Sequence, residues 1–455
     1  RRNCFMKQNE GSKKNEKLSF ITNTSWMMAQ QIYSMILSLV VGSLSARYLG
    51  PSNYGLLSYG SSLISLFTMV SSLGLTNVII NEMIKKPEKT GSYLGSALIA
   101  RLVASFLSLG LIYGIIRFLE PNNQLLQTVT VLQGLAVIFQ SYEVFTYYFQ
   151  MQMQMKVVSL ATMLALTAAA IWRISLLAHS ADVPFFALTN SIQYLVAGLI
   201  VIAIFVVKAN IKLTVSFRDA KYLVGKSYHL IISSIASTIC CQIDKIMIGK
   251  YLSPEQVGFY TAAASIATMW EFVPNALINS ASPIIIKLKQ SNQEKFIEKF
   301  QQLLLCISTL SIFVGIGVSA LGKIAVLVLY GDKYLPAVNA LSILIWSTGF
   351  AMIGTARGIW IVAEDLNKFT KYYIFIGAAV NFVLNIFAIR FLGITGAAIT
   401  TLVSQIVVAF VSPLLFKQTR AFDTIYFNGL KRAPQLISPI IKTVITNISN
   451  RKENR

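Results

Sequence analysis

Charge is scarce in this chain. Of 455 residues only 13% are Asp, Glu, Lys or Arg, roughly half the share in an ordinary soluble domain. Apolar residues make up 55%, and mean hydropathy is +0.62. Those values exclude a soluble globular protein and a disordered one. Four cysteines (Cys4, Cys240, Cys241 and Cys306) are too few for a disulfide scaffold and lack metal-ligand spacing. Eleven Pro and 26 Gly exclude fibrous repeats. The apolar runs are too long and too uniform for an outer-membrane barrel, whose strands alternate over about ten residues. The two histidines, His179 and His229, stand apart, and neither a Walker pattern nor GxGxxG occurs. No cofactor or metal is expected. What remains is an all-α polytopic membrane protein.

A helix needs about 20 apolar residues to cross hydrocarbon. Twelve runs qualify, at 19–42, 56–80, 93–116, 127–149, 157–178, 184–207, 228–250, 257–280, 302–330, 338–363, 372–392 and 393–416, the last two joined very tightly. With a cytoplasmic amino terminus, 29 Lys and Arg fall in inner segments and five in outer loops. The positive-inside rule then fixes the orientation, with both termini cytoplasmic. The net charge of +21 is therefore topology, and no nucleic-acid partner is expected. Arg1-Arg2-Asn3-Cys4-Phe5 precede Met6, so residue 1 is not read as a natural start. The first span is too long for a signal-peptide core. The stretch 434–447 is short and Pro-broken, and is read as lying on the membrane surface.

The chain repeats itself. Ala46-Arg47-Tyr48-Leu49-Gly50-Pro51-Ser52-Asn53-Tyr54-Gly55 recurs as Gly249-Lys250-Tyr251-Leu252-Ser253-Pro254-Glu255-Gln256-Val257-Gly258, an offset of 203 residues. Six spans separate the copies. The halves therefore face the same way and are expected to form two six-helix lobes related by a pseudo-two-fold axis along the membrane normal. The expected organisation is a basic N-terminus (1–18), an N-terminal lobe (19–207), an inter-lobe linker (208–227), a C-terminal lobe (228–416) and a basic tail (417–455).

Polar stripes accompany the repeat. Ser58, Ser62, Ser65 and Ser72 share a face of span 2, matched at the same offset by Thr261, Ser265, Thr268 and Asn275 of span 8. Asn23, Gln30 and Ser34 line span 1, and Ser234, Ser237, Thr238, Cys241 and Lys245 line span 7. Such stripes serve either close helix packing or a wetted cavity. Eight charges also fall within the spans: Arg101, Glu143, Arg173, Asp244, Lys245, Glu271, Lys323 and Arg357. Facing lipid, they would cost on the order of 24 kcal/mol together, so most must snorkel, pair or face water. Basic residues outnumber acidic ones five to three in this set, which suits an anionic ligand, and Arg matches phosphate through its planar fork. Glu271 lies deepest; it either pairs with a neighbouring Arg or carries a cation. The loops are too short for a soluble catalytic domain, so no enzyme is expected.

The sequence resembles the polysaccharide transporter family, the lipid-linked oligosaccharide-repeat flippases of the superfamily that also holds multidrug and toxin exporters. The resemblance rests on Asn23-Thr24-Ser25-Trp26, on 46–55 with its repeat, on Gly74-Leu75, and on Asp244-Lys245-Ile246-Met247-Ile248-Gly249 with Val257-Gly258-Phe259-Tyr260. It rests also on Tyr330-Gly331-Asp332-Lys333-Tyr334 and Leu392-Gly393-Ile394-Thr395-Gly396-Ala397-Ala398. It implies alternating access through a central cavity. The cargo would be an oligosaccharide on a polyprenyl diphosphate, moved to the outer leaflet for capsule, O-antigen or other surface polysaccharide, beside polysaccharide polymerase machinery. On that reading Arg101, Arg173, Lys245 and Arg357 contact phosphate, and Asn23, Gln30, Ser34 and Ser237 contact sugar. Glu271 and Asp244 would couple H+ or Na+ where the membrane potential alone does not drive export. A cation-coupled multidrug exporter and a membrane polymerase or glycosyltransferase are the rival expectations.

Overall fold

The computed structural model describes residues 2–435, with side chains from Thr22 onward apart from those at 232, 233, 236 and 240. The surface stretch expected at 434–447 lies almost wholly outside them. Among the described residues the regular structure is helical. By compactness the chain divides into 1–258 and 259–455.

The first unit runs through α1 (Arg2–Ser72), α2 (Leu75–Lys85), α3 (Thr90–Leu119), α4 (Gln124–Phe139), α5 (Glu143–Met151), α6 (Met155–Ala178), α7 (Val183–Ala187), α8 (Thr189–Ala209) and α9 (Phe217–Tyr251). Span 7 of the sequence reading, carried by α9, thus falls in this unit. Small side chains let its helices approach: Ala161, Ala165 and Ala169, four apart on α6, are buried. The core is aromatic towards the loop end of α5, where Phe205 meets Phe145 at 4.8 Å and Tyr148 edge-on at 5.3 Å.

α10 (Pro254–Thr268) opens at the division, and the second unit continues with α11 (Phe272–Ser291), α12 (Gln293–Leu329), α13 (Ala337–Ala363) and α14 (Thr370–Ile406). A π-helical turn (Val407–Val411), α15 (Ser412–Leu414) and α16 (Ala421–Lys431) follow. α16 is docked rather than loose. Phe422 is fully buried, Tyr426 meets the Ser308 hydroxyl at 3.0 Å, and Gln301 donates to the Ile425 carbonyl at 2.9 Å.

Eight helical stretches among the described residues are long and apolar enough to cross a membrane, against twelve expected. Two of the eight, Thr22–Lys85 and Asn367–Leu414, hold 64 and 48 residues, more than one crossing needs. Each bends at a glycine with positive φ, Gly50 (φ 73) and Gly393 (φ 60), between the spans expected there. Spans 7 and 8 fall on α9 and on α10 with α11. Asp244 and Lys245 lie on α9 and Glu271 on the turn between α10 and α11, and these segments are not among the eight.

The repeat motif has a local structural meaning. Gly55 and Gly258 are buried where the two copies cross backbone on backbone. A Cβ on Gly55 would sit 1.7 Å from the Pro254 carbonyl oxygen, and one on Gly258 would sit 2.1 Å from that of Pro51. The contact is reciprocal, since Pro51 and Gly55 map onto Pro254 and Gly258 at the same offset.

The segment between α8 and α9 is strapped along α3. Thr214 N–H donates to the Gly91 carbonyl (3.3 Å) and Ser216 N–H to the Ser96 hydroxyl (2.9 Å). A Cβ at Gly91 or Gly95 would lie 2.2 Å from the Lys212 oxygen or 2.4 Å from the Thr214 oxygen. Gly95→Val is therefore expected to lift the strap, read as faster proteolysis within 210–216 while the helical circular dichroism persists. Unchanged proteolysis would contradict this packing.

Candidate functional site

The charges that the sequence places within spans are gathered differently in the two units. In the first, Arg101 on α3 is 1% exposed and pairs with Glu143 at 3.1 Å. A 3-10 turn at Gln140–Tyr142 ends α4 and sets Glu143 at the start of α5. Gln140 donates to the free carboxylate oxygen (2.9 Å), Arg101 donates to the Tyr147 hydroxyl (3.1 Å), and Thr76 donates to the same hydroxyl (3.1 Å). Three helices are thereby tied around one buried guanidinium, which satisfies the rule that a buried charge must be paired and hydrogen-bonded. Both Arg173 on α6 and Lys245 on α9 are half-buried, and no salt bridge among the described residues engages either. Asp244, beside Lys245, is buried.

The second unit holds Arg357 on α13, buried among carbonyls and rings. Its Nη1 donates to the Val408 and Ala409 carbonyls (2.6 and 2.9 Å). Both belong to the π-helical turn, where the ordinary i to i+4 pairing is interrupted. The guanidinium lies 4.4 Å from the Tyr373 ring centroid and 5.6 Å from that of Phe422. Asp423 on α16 is buried and near Arg357, and among the described residues no other residue gives its carboxylate oxygens a hydrogen bond.

Asp423 lies beyond the last span. Burial pushes its carboxyl up to about 6 from 3.8, against the opposing pull of Arg357. Below the unfolded value both states are protonated and the group is silent. Above about 6 the native state must hold a buried carboxylate, so stability falls as pH rises through that window. Asp423→Asn is expected to raise stability near pH 7 by roughly 3 kcal/mol and to flatten the pH dependence between 4 and 6, read from thermal unfolding in detergent. A loss of stability at pH 7 would contradict it.

Glu271 is half-buried at the end of a second 3-10 turn, Met269–Glu271, between α10 and α11. Among the described residues no cation reaches salt-bridge distance of it, so the neighbouring Arg weighed from sequence does not appear. Lys323 on α12 is exposed.

The polar residues expected to meet sugar are placed unevenly. Asn23 is occupied with structure: its side-chain amide donates to the Met153 carbonyl and accepts from Met155 N–H at 3.0 Å, holding the turn between α5 and α6. Gln30, Ser34 and Ser237 are half-buried. The serine stripes bond to their own helices, Ser62 to the Ser58 carbonyl (2.9 Å) and Ser265 to the Thr261 carbonyl (2.8 Å). That local bonding is what membrane packing asks of a hydroxyl.

Sequence reasoning passed over a second polar cluster, in the loop-end part of the first unit. Glu82 on α2 accepts from Lys226 (2.7 Å) and Tyr222 (3.1 Å) on α9. Asp219 accepts from Ser92 at 2.5 Å, with Lys89 at 3.9 Å. The pairs are far apart in sequence, so only the excess of charge at 81–92 and 208–227 hinted at them. Beside Asp219 lies a cavity of about 570 Å³ lined by Lys89, Thr90, Ser92, Tyr148, Gln152 and Lys212 among others.

Residues 20–289 match the family model described as polysaccharide biosynthesis protein. A relative named putative O-antigen transporter, from Escherichia coli strain K12, is 23% identical over 402 residues, which are 86% of this chain and 95% of the relative. Among solved structures, one titled as the lipid II flippase MurJ in an inward closed conformation superposes with a TM-score of 0.68 at 14% identity. That match covers 96% of this chain and 100% of that one. An inward-facing multidrug resistance MATE transporter of the MOP superfamily gives 0.62 at 14% identity, over 89% and 96%. Likeness at that identity concerns the fold.

Proposed function

The chain belongs to the polysaccharide biosynthesis protein family of membrane transporters, and we propose that it is a flippase for oligosaccharides carried on a polyprenyl diphosphate. The observation that carries this reading is the set of cationic side chains at membrane depth in a chain of this family. Arg173 and Lys245, half-buried and engaged by no salt bridge among the described residues, take the diphosphate. Arg101 and Arg357, enclosed by Glu143 and by the π-helical carbonyls, act as positioning residues that keep helices in register. Gln30, Ser34 and Ser237 meet sugar hydroxyls, which need polar walls because unpaired hydroxyls are costly in apolar surroundings. The crossings number twelve, both termini are cytoplasmic, and the reciprocal contact of Gly55 and Gly258 supports two repeats related by a two-fold axis. Capsule or O-antigen units are the cargo class, handed on to polymerase machinery.

Two negative charges moving outward through about 100 mV, inside negative, are favoured by roughly 4–5 kcal/mol. The potential alone therefore suffices, and H+ or Na+ binding at Glu271 or Asp244 is optional. Arg173→Gln with Lys245→Gln is expected to slow transfer of a fluorescent polyprenyl-diphosphate oligosaccharide in proteoliposomes at least about tenfold, the equivalent of 1.4 kcal/mol. Imposing an inside-negative potential should speed outward transfer by the native chain. Transfer that ignores voltage and follows only an ion gradient would defeat the uncoupled version. Full activity in the double variant would remove those two residues from the site.

A further inference from the structure

We infer that the strap between α8 and α9 is a docking surface for an anionic lipid leaflet. The reading is independent of the cargo. Asn210 ends α8 in a left-handed conformation, Ile211 packs into the core of the first unit, and the chain then runs without regular secondary structure to Ser216, whose own backbone is extended. Its backbone is pinned to α3 at Gly91, Gly95 and Ser96. That is the first turn and a half of α3, at the depth where the span beginning near 93 leaves hydrocarbon.

Three apolar residues stand close together where the strap enters α9. Leu213, Val215 and Phe217 are 42%, 64% and 84% exposed, although nothing in a loop sequence requires apolar residues there. Water would penalise three large apolar side chains in a row, whereas the acyl boundary would stabilise them. Lys208, Lys212, Arg218 and Lys221 flank them in sequence, all exposed and without an ion pair among the described residues. Of the nearby acids, Asp219 turns inward to Ser92 and Lys89, Glu88, beside Lys212 at the same cavity, is exposed, and Lys226 is spent on Glu82; the four exposed bases outnumber that one acid. The outward charge of the strap is therefore basic. Apolar residues at the depth of the acyl boundary, flanked in sequence by basic residues, match phospholipid headgroups of negative charge. A protein partner has no such match here, because the strap runs beside the predicted spans where lipid is the neighbour.

Phe217→Trp in the full chain tests this, since residue 217 touches no core. The protein is reconstituted in vesicles containing about a third phosphatidylglycerol and in pure phosphatidylcholine, and the emission of the five native tryptophans is subtracted. In the anionic vesicles the added emission should be blue-shifted, reduced by roughly half by acyl-brominated lipid, and spared by aqueous acrylamide. In the zwitterionic vesicles, or with Lys208, Lys212, Arg218 and Lys221 changed to Gln, the bromolipid quenching should at least halve. Strong acrylamide quenching without bromolipid quenching in anionic vesicles would overturn the proposal, as would quenching indifferent to the lipid headgroup.

Discussion

Gly55→Ala is expected to lower the unfolding temperature in detergent more than an alanine at any other glycine whose surroundings are described. Its Cβ would fall 1.7 Å from the Pro254 oxygen and 2.6 Å from the Gly258 nitrogen. These are backbone atoms, so no rotamer change can relieve the clash and two helix starts must separate. Overpacking against flexible side chains costs about 1–3 kcal/mol, and this site should reach or exceed the upper end. Gly258→Ala should behave alike, since it meets Pro51 in the mirrored contact. Gly42→Ala is the control: nothing lies within 4 Å of its Cβ, and alanine is the better helix former by up to about 1 kcal/mol. Equal unfolding temperatures for Gly55→Ala and Gly42→Ala would contradict the crossing.

The second large effect belongs to Arg101. Arg101→Met should destabilise by about 3 kcal/mol, because it leaves the Glu143 carboxylate without its cation, with Gln140 as its remaining hydrogen-bond donor. The figure sits at the low end for buried pairs because the Glu143 side chain is 30% exposed and can recruit water. Removing both partners, Arg101→Met with Glu143→Leu, should recover much of the loss. The coupling energy from the four-protein cycle is then expected at about 1–3 kcal/mol. A coupling near zero would mean that the pair is incidental and that Arg101 is held by packing alone.

The helices were legible in the sequence, and angular position around each helix was not. Hydropathy marked the long apolar helices, and the tight Leu392-Gly393 junction coincides with a bend that the structure makes at Gly393. The repeat was visible as letters, but that Gly55 and Gly258 meet required the fold. Arg101 and Glu143 lie 42 residues apart, and Asn23 reaches a turn 130 residues away. No window of sequence reports which face of one helix meets another, so nothing in the sequence signals that the Asn23 amide holds Met153 and Met155. Arg357 was missed as an anchor for the same reason: the carbonyls it takes come from a π-helical turn that leaves no signature in Val407–Val411. The docking of α16 was hidden in a tail whose basic charge drew attention away from Phe422 and Tyr426.

The central claim is transport of a lipid-linked diphosphate sugar, and a competition between cargoes tests it most directly. Purified chain in proteoliposomes is given a fluorescent polyprenyl-diphosphate oligosaccharide in one arm and a cationic dye with an imposed ion gradient in the other. The account predicts bilayer transfer of the lipid-linked sugar and no dye export. Dye export without sugar transfer would contradict it and would make the chain a multidrug exporter.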